Sequence, residues 1–85
     1  MARVTVYSTG TCPMCERTKQ LLSKWKIPYD EVRLDINRDA LRTFSQLTNG
    51  ARTVPQIIID GKWIGGLTEL TELHMDDELD ELVTD

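Results

Sequence analysis

A single histidine, His74, and only two cysteines occur in the 85 residues. That is too few for the four ligands of a structural zinc site within one chain, so a metal site would need two chains. The five aromatic residues are not interleaved with a basic cluster, which argues against a nucleic-acid partner. No apolar run approaches the roughly 20 residues needed to cross a bilayer, so no membrane is expected. The opening MARVTVYS is too polar for a secretion signal, and the expected location is cytoplasmic. Lys and Arg are absent from the last seventeen residues, which hold eight of the fourteen acids. Residues 1–68 therefore carry all ten cations against six acids, a balance of +4 inside a net charge of −4. The acidic end reads as a solvated helix face, and the mildly basic body as a surface that attracts anionic small molecules or an acidic partner.

What remains is one compact set of elements. The length makes residues 1–85 a single domain, with no internal repeat, linker or low-complexity tract. Arg3-Val4-Thr5-Val6-Tyr7 alternates as a strand does and ends at the loop Ser8-Thr9-Gly10-Thr11. A helix is predicted from Pro13 to about Lys26, with Cys15, Thr18, Leu22 and Trp25 on one face and Pro28 beyond its end. Val32, Leu34 and Ile36 alternate with charged residues in a second strand that begins near Tyr29. A second helix is expected from about Arg38 to Asn49, capped by Asn37 and closed by Gly50.

Val54 to Ile59 reads as a buried strand, and Asp60-Gly61 is a favoured pair for a two-residue turn into Lys62-Trp63-Ile64-Gly65. Leu67, Leu70 and Leu73 return to helical spacing, and Met75, Leu79, Leu82 and Val83 suggest a last short helix begun at Asp76. The order is β-α-β-α-β-β-α(-α), an α/β fold with a mixed four-stranded sheet and helices on both faces.

Both cysteines lie in TCPMC, residues 11–15. Proline is tolerated at the first helical position, so Cys12 becomes the N-cap and Cys15 the third helical residue. An N-cap side chain accepts from the free N–H groups of the next turn, here Met14 and Cys15. A thiolate accepts better than a thiol, and the positive helix end adds to that preference. Cys12 is therefore expected to react as the anion, with Arg17 and Lys19 just beyond favouring it further. Residues so spaced stand roughly 5–6 Å apart, within the span of an unstrained disulfide. Cys12 can attack a substrate disulfide and Cys15 can resolve the mixed disulfide that results. A metal shared between two chains, or a pair of packing cysteines, is the alternative for the same spacing, and His74 reads as an ordinary helix residue.

Taken with Thr53-Val54-Pro55 and Ile64-Gly65-Gly66-Leu67-Thr68-Glu69-Leu70, the TCPMC motif resembles the glutaredoxins, a family of the thioredoxin fold. The resemblance covers nearly the whole chain. It implies a dithiol oxidoreductase with Cys12 as nucleophile and Cys15 as resolving cysteine, reducing disulfides in proteins and mixed disulfides with glutathione. It implies glutathione as co-substrate, with no tightly bound cofactor or metal, and a monomer supplied with electrons by a reductase system. Thr11, Pro13, Met14, Thr53, Val54, Pro55, Gly66, Leu67 and Thr68 are the implied substrate contacts. Pro55 is implied to follow a cis peptide bond, leaving the Val54 backbone free to pair with an extended peptide. The glycine pair leaves the N–H groups of Leu67 and Thr68 for a carboxylate, the γ-glutamyl end in this family.

Three positions depart from the family pattern. Thr9 stands where many members have a Lys for the glycine carboxylate of glutathione, and Arg42 or Arg52 is the candidate substitute. Thr68 stands where Asp is frequent, with Glu69 one place later, and Met14 replaces the usual Tyr. These departures fit reduction by thioredoxin reductase or another low-molecular-weight thiol, the alternative to a glutathione-linked enzyme. An iron–sulfur carrier is a further alternative, which Pro13 argues against.

Overall fold

The computed structural model describes residues 3–79. Its elements are β1 (Val4–Ser8), α1 (Pro13–Lys24), β2 (Tyr29–Arg33), α2 (Ala40–Leu47), β3 (Gln56–Ile59), β4 (Lys62–Gly65) and α3 (Leu67–Met75). They form one sheet of order β2-β1-β3-β4, parallel between β1 and β2 and antiparallel elsewhere. This is the expected mixed sheet, because a strand-helix-strand crossover forces β2 parallel to β1 while a two-residue turn forces β4 antiparallel to β3.

Side-chain alternation along the strands divides the apolar residues between two faces. Val4, Val6, Ile57 and Ile59 meet Leu22 and Ile27 at the end of α1 and Leu70 of α3. Tyr7 and Ile58 point to the other face, where they pack with Leu34 and Phe44 of α2. The Tyr7 and Phe44 rings lie 5.2 Å apart in a tilted contact. Burying a side chain such as Leu22, which is fully enclosed, contributes about 1.5–3 kcal/mol. Buried hydroxyls turn back onto their own helices: Thr18 Oγ1 donates to the Met14 carbonyl at 2.8 Å and Thr48 Oγ1 to the Phe44 carbonyl at 2.6 Å.

Several boundaries differ from the expected ones, each for a local reason. Helix α1 stops at Lys24, not Lys26, because Trp25 caps it and Lys26 turns left-handed at φ 60. The N–H groups of Lys26 and Ile27 then bond to the carbonyls of Ser23 and Leu22 at 3.1 and 2.9 Å. That is a Schellman ending, with Ile27 and Leu22 in the same core cluster. Strand β2 ends at Arg33, and residues 34–36 form a turn in which Asn37 N–H returns to the Arg33 carbonyl at 2.8 Å. Leu34 remains buried, whereas Ile36 is 74% exposed, so the alternation does not run on to it.

Helix α2 is shorter than expected at both ends. Two successive three-residue hydrogen bonds, Ala40 to Asn37 and Leu41 to Arg38, tighten its entry, so the backbone carbonyl of Asn37 is used and not its side chain. At the far end Asn49 and Gly50 both take positive φ, 54 and 81, and Gly50 N–H closes on the Ser45 carbonyl. Strand β3 begins at Gln56 and not at Val54, since Pro55 has no N–H to give to the ladder; the Val54-Pro55 peptide bond is cis. Asp60 and Gly61, at φ 51 and 80, form the expected turn into β4. Asp76 caps the C-terminus of α3 and does not open a new helix; helical backbone resumes at Glu78 and Leu79. Leu82 and Val83, expected on that last helix, lie outside the described residues.

Candidate active site

The loop after β1 delivers Cys12 to the start of α1. Its backbone is extended, φ −116 and ψ 104, while Pro13 occupies the first helical position, so Cys12 is the N-cap as the sequence predicts. Its sulfur accepts the Cys15 N–H at 3.2 Å. Met14 N–H, the other expected donor, makes no such bond among the described residues. Across the site the Cys12 thiol donates to the Val54 carbonyl at 3.6 Å. That carbonyl is therefore occupied in the reduced protein, and becomes available once Cys12 loses its proton or forms a disulfide. Val54 N–H makes no backbone hydrogen bond among the described residues.

Both cysteines are free thiols, but their surroundings differ. Cys12 is partly accessible, and Cys15 is buried under α1. Burial pushes the Cys15 thiol up to about 12, and its hydrogen bond to Cys12 adds to the rise, while the Thr9 backbone and Lys19 oppose it. The thiol that meets solvent and the thiol that is held neutral are thus separated by one helical turn. Met14 projects half-exposed beside them.

Lys19 does not stand free. Its ammonium lies 2.7 Å from Glu16 and 2.9 Å from Glu31, and the two carboxylates hold its proton more tightly. Glu31 in turn accepts from the buried Ser8 hydroxyl at 2.6 Å and is kept ionised chiefly by that bond. This network ties β1, α1 and β2 together below the redox loop, and the charge of Lys19 acts on Cys15. The guanidinium of Arg17 makes no ion pair with another described residue. The sequence placed both cations beside Cys12, but the fold commits Lys19 to β2.

Gly10 sits directly against the Arg33–Asp35 ion pair, whose side-chain ends would have to shift to admit a larger residue. A Cβ there would lie 2.3 Å from the Arg33 guanidinium and 2.8 Å from the Asp35 carboxylate. Asp35 takes the Gly10 N–H at 3.0 Å and pairs with Arg33 at 2.7 Å, holding the redox loop against the end of β2. Arg33 holds the Asp35 carboxyl down at about 2. No local pattern announces this clamp, because its partners are 25 residues apart.

The glycine pair completes the site. Gly66, the N-cap of α3, sits so close to the loop of Pro55 that an added Cβ would come 3.3 Å from the Pro55 carbonyl. Gly65 has φ 123, and a Cβ there would meet the Glu69 side chain at 2.5 Å. Glu69 bends back to accept the Gly66 N–H at 2.8 Å, the carboxylate half of a capping box whose other half glycine cannot supply. Leu67 and Thr68 N–H groups are left without backbone partners among the described residues, as expected. The three motifs therefore converge: Cys12 on Val54, and Pro55 on Gly66.

A cleft of about 500 Å³ opens beside them, with Thr9 and Val54 on its rim, Leu34 and Phe44 in its wall, and Arg52 along one side. Arg52 has no ion-pair partner among the described residues. Arg42 does not line this cleft. Thr11 and Pro13 are exposed at the redox loop, and Thr53 and Thr68 are exposed at the other two motifs.

Comparison with known proteins agrees with this geometry. A family model for glutaredoxin matches residues 4–64. Glutaredoxin 3 of Escherichia coli is 41% identical over 83 residues, covering 98% of this chain and 99% of the relative. The crystal structure of a buckwheat glutaredoxin-glutathione complex superposes with a TM-score of 0.84 at 34% identity, over 98% of this chain and 77% of that one. The solution structure of a dithiolic glutaredoxin from Trypanosoma brucei brucei gives 0.83 at 32%, over 98% and 88%. With two cysteines one helical turn apart at the mouth of a thioredoxin-like sheet, this chain belongs to the glutaredoxin family of thiol-disulfide oxidoreductases.

Proposed function

We propose that the protein reduces glutathione mixed disulfides and protein disulfides through a Cys12/Cys15 dithiol cycle, with glutathione as co-substrate. The observation that carries this reading is Cys12 at the N-cap, its sulfur accepting the Cys15 N–H at 3.2 Å. A thiolate there is held by the hydrogen bond and the helix dipole. It attacks the glutathionyl sulfur of the substrate, a Cys12–glutathione disulfide forms, and the substrate leaves as a thiolate that takes up a proton. A second glutathione thiolate then attacks that disulfide, releasing oxidised glutathione and restoring Cys12. In the dithiol branch the Cys15 sulfur attacks the Cys12 sulfur instead, its proton passing to the departing glutathione; a Cys12–Cys15 disulfide forms, and two glutathiones then reduce it and leave as oxidised glutathione.

The relatives support glutathione as the ligand, since one solved neighbour is itself a glutathione complex. The cleft supports it as well: Arg52 shares it with Thr9 and Val54, so its guanidinium can take the carboxylate that a Lys at position 9 would hold. The cytoplasm, where thiols stay reduced, is the compartment this chemistry fits. Thr9 and Thr68 favour a second reading, in which thioredoxin reductase or another small thiol supplies the electrons.

The test is the steady-state rate on a glutathionylated peptide, with glutathione and glutathione reductase in one assay and thioredoxin reductase in the other. Turnover with glutathione is expected, abolished by Cys12→Ser and retained by Cys15→Ser, because glutathione resolves the intermediate itself. Turnover only with thioredoxin reductase would select the second reading. Wild-type rates in Cys12→Ser would overturn the assignment of the nucleophile.

A further inference from the structure

Beside the substrate loop, a short chain of hydrogen bonds leads away from the thiols. Gln56, buried at the start of β3, accepts from Trp63 Nε1 at 2.8 Å through its Oε1. Its Nε2 donates to Thr53 Oγ1 at 3.2 Å. Trp63 stands opposite Ile58 in the β3–β4 ladder, and Ile58 is two residues from Gln56, so the two side chains share one face of the sheet. A side-chain amide has nearly the same shape either way round, so its hydrogen-bond partners decide its orientation.

Here one partner admits no choice. An indole N–H can only donate. Gln56 must therefore turn its oxygen to Trp63, and its NH₂ group to Thr53. The Thr53 hydroxyl is thereby made an acceptor on its inner side, and its own proton is left for the outside. Thr53 is exposed, and its hydroxyl donates to no other described residue. It lies next to Arg52, whose guanidinium is also without an ion-pair partner.

We propose that Trp63, acting through Gln56, is a positioning residue that fixes Thr53 as a hydrogen-bond donor to a carboxylate of the bound glutathionyl group. This rests on the glutathione reading above. The neighbouring Arg52 supplies positive charge on the same loop, which suits an anionic oxygen and not a second donor. Trp63 touches no substrate in this scheme; it sets the polarity of a group that does.

The probe is S-methylglutathione, which binds without redox chemistry, titrated calorimetrically into the reduced protein. Gln56→Glu keeps the shape but replaces the donor with a carboxylate, which accepts from both Trp63 and Thr53 and so draws the Thr53 proton inward. Affinity at pH 7 is expected to fall roughly tenfold, the factor for one lost hydrogen bond to a charged group. The deficit relative to wild type should shrink toward pH 5. A buried carboxyl titrates above its ordinary value of about 4.3 and, once protonated, donates to Thr53 again.

Trp63→Phe removes the donor that fixes the amide and should weaken binding, whereas Trp63→Phe in a Thr53→Ala background should cost nothing more; an unchanged affinity in Trp63→Phe would overturn the proposal. This pair keeps the proposal testable should Gln56→Glu not fold. In a Thr53→Ala background, Gln56→Glu should cost nothing more. An unchanged affinity in Gln56→Glu, a deficit that ignores pH, or the same deficit without the Thr53 hydroxyl would overturn the proposal while leaving the glutathione reading intact. Failure of the wild type to bind the probe would overturn both.

Discussion

At the scale of single residues, burial divides the labour between two chemically identical side chains. Cys12 caps α1 at the edge of solvent, and Cys15, three residues on, is enclosed and pushed up to about 12 chiefly by desolvation. A group raised in the folded state stabilises the fold below its unfolded value and loses that contribution as pH climbs through the folded one. The reduced protein should therefore lose stability between about pH 9 and 12. Urea unfolding under reducing conditions at pH 7, 9 and 10.5 measures this, and Cys15→Ala should flatten the decline. An equal decline in that variant would assign it to other groups. The spacing of the cysteines and the proline between them was enough to foresee the cap, because capping is local. The engagement of Lys19 by Glu31 was not legible, since that partner comes from another strand.

Elements begin and end where local hydrogen bonds can be completed, and the ends of α1 and α2 show how. Both close with a left-handed residue that is not glycine, Lys26 at φ 60 and Asn49 at φ 54. Asn tolerates that region, whereas a Lys there meets its own carbonyl. Lys26→Gly is expected to raise stability by about 0.5–1 kcal/mol, the relief of the strained φ less the entropy that glycine adds to the unfolded chain. The urea midpoint reports it, and a fall would mean that the Lys26 stem contributes packing that outweighs the strain. The Asp60-Gly61 turn was readable from two residues, but the early ends of both helices were not. Periodicity alone continues through Trp25 and Thr48, and only the capping hydrogen bonds stop it.

For the molecule as a whole, the two faces of the sheet are held unequally. One carries α1 and α3 around Val4, Val6, Leu22, Ile57, Ile59 and Leu70. The other carries α2, whose single buried residue is Phe44. Phe44→Ala should therefore cost about 3–5 kcal/mol and loosen α2, which lines the cleft beside Thr9. Leu22→Ala should weaken the whole domain. Hydrogen exchange distinguishes the two: in Phe44→Ala the α2 amides should exchange well before those of β1 and β3. Uniform exchange throughout the domain would show that both faces unfold together.

Periodicity, turn residues and proline in the sequence determined the order of elements, the mixed sheet and the placing of Cys12 at the cap of α1 with Cys15 one turn on, because all of these depend on neighbours a few residues apart. The three motifs TCPMC, Thr53-Val54-Pro55 and Gly65-Gly66 were likewise readable as parts of a site. Only the tertiary structure decided what stands beside what. It brought the Val54 carbonyl to Cys12, Pro55 to Gly66, Arg52 and not Arg42 to the cleft, and Trp63 through Gln56 to Thr53. All but the last join segments that approach one another only when the sheet pairs and its faces are covered, and contacts of that kind leave no repeat or spacing in the chain; the last runs within the β3–β4 hairpin and the turn before it, where the choice of side-chain partners and not the pairing was hidden.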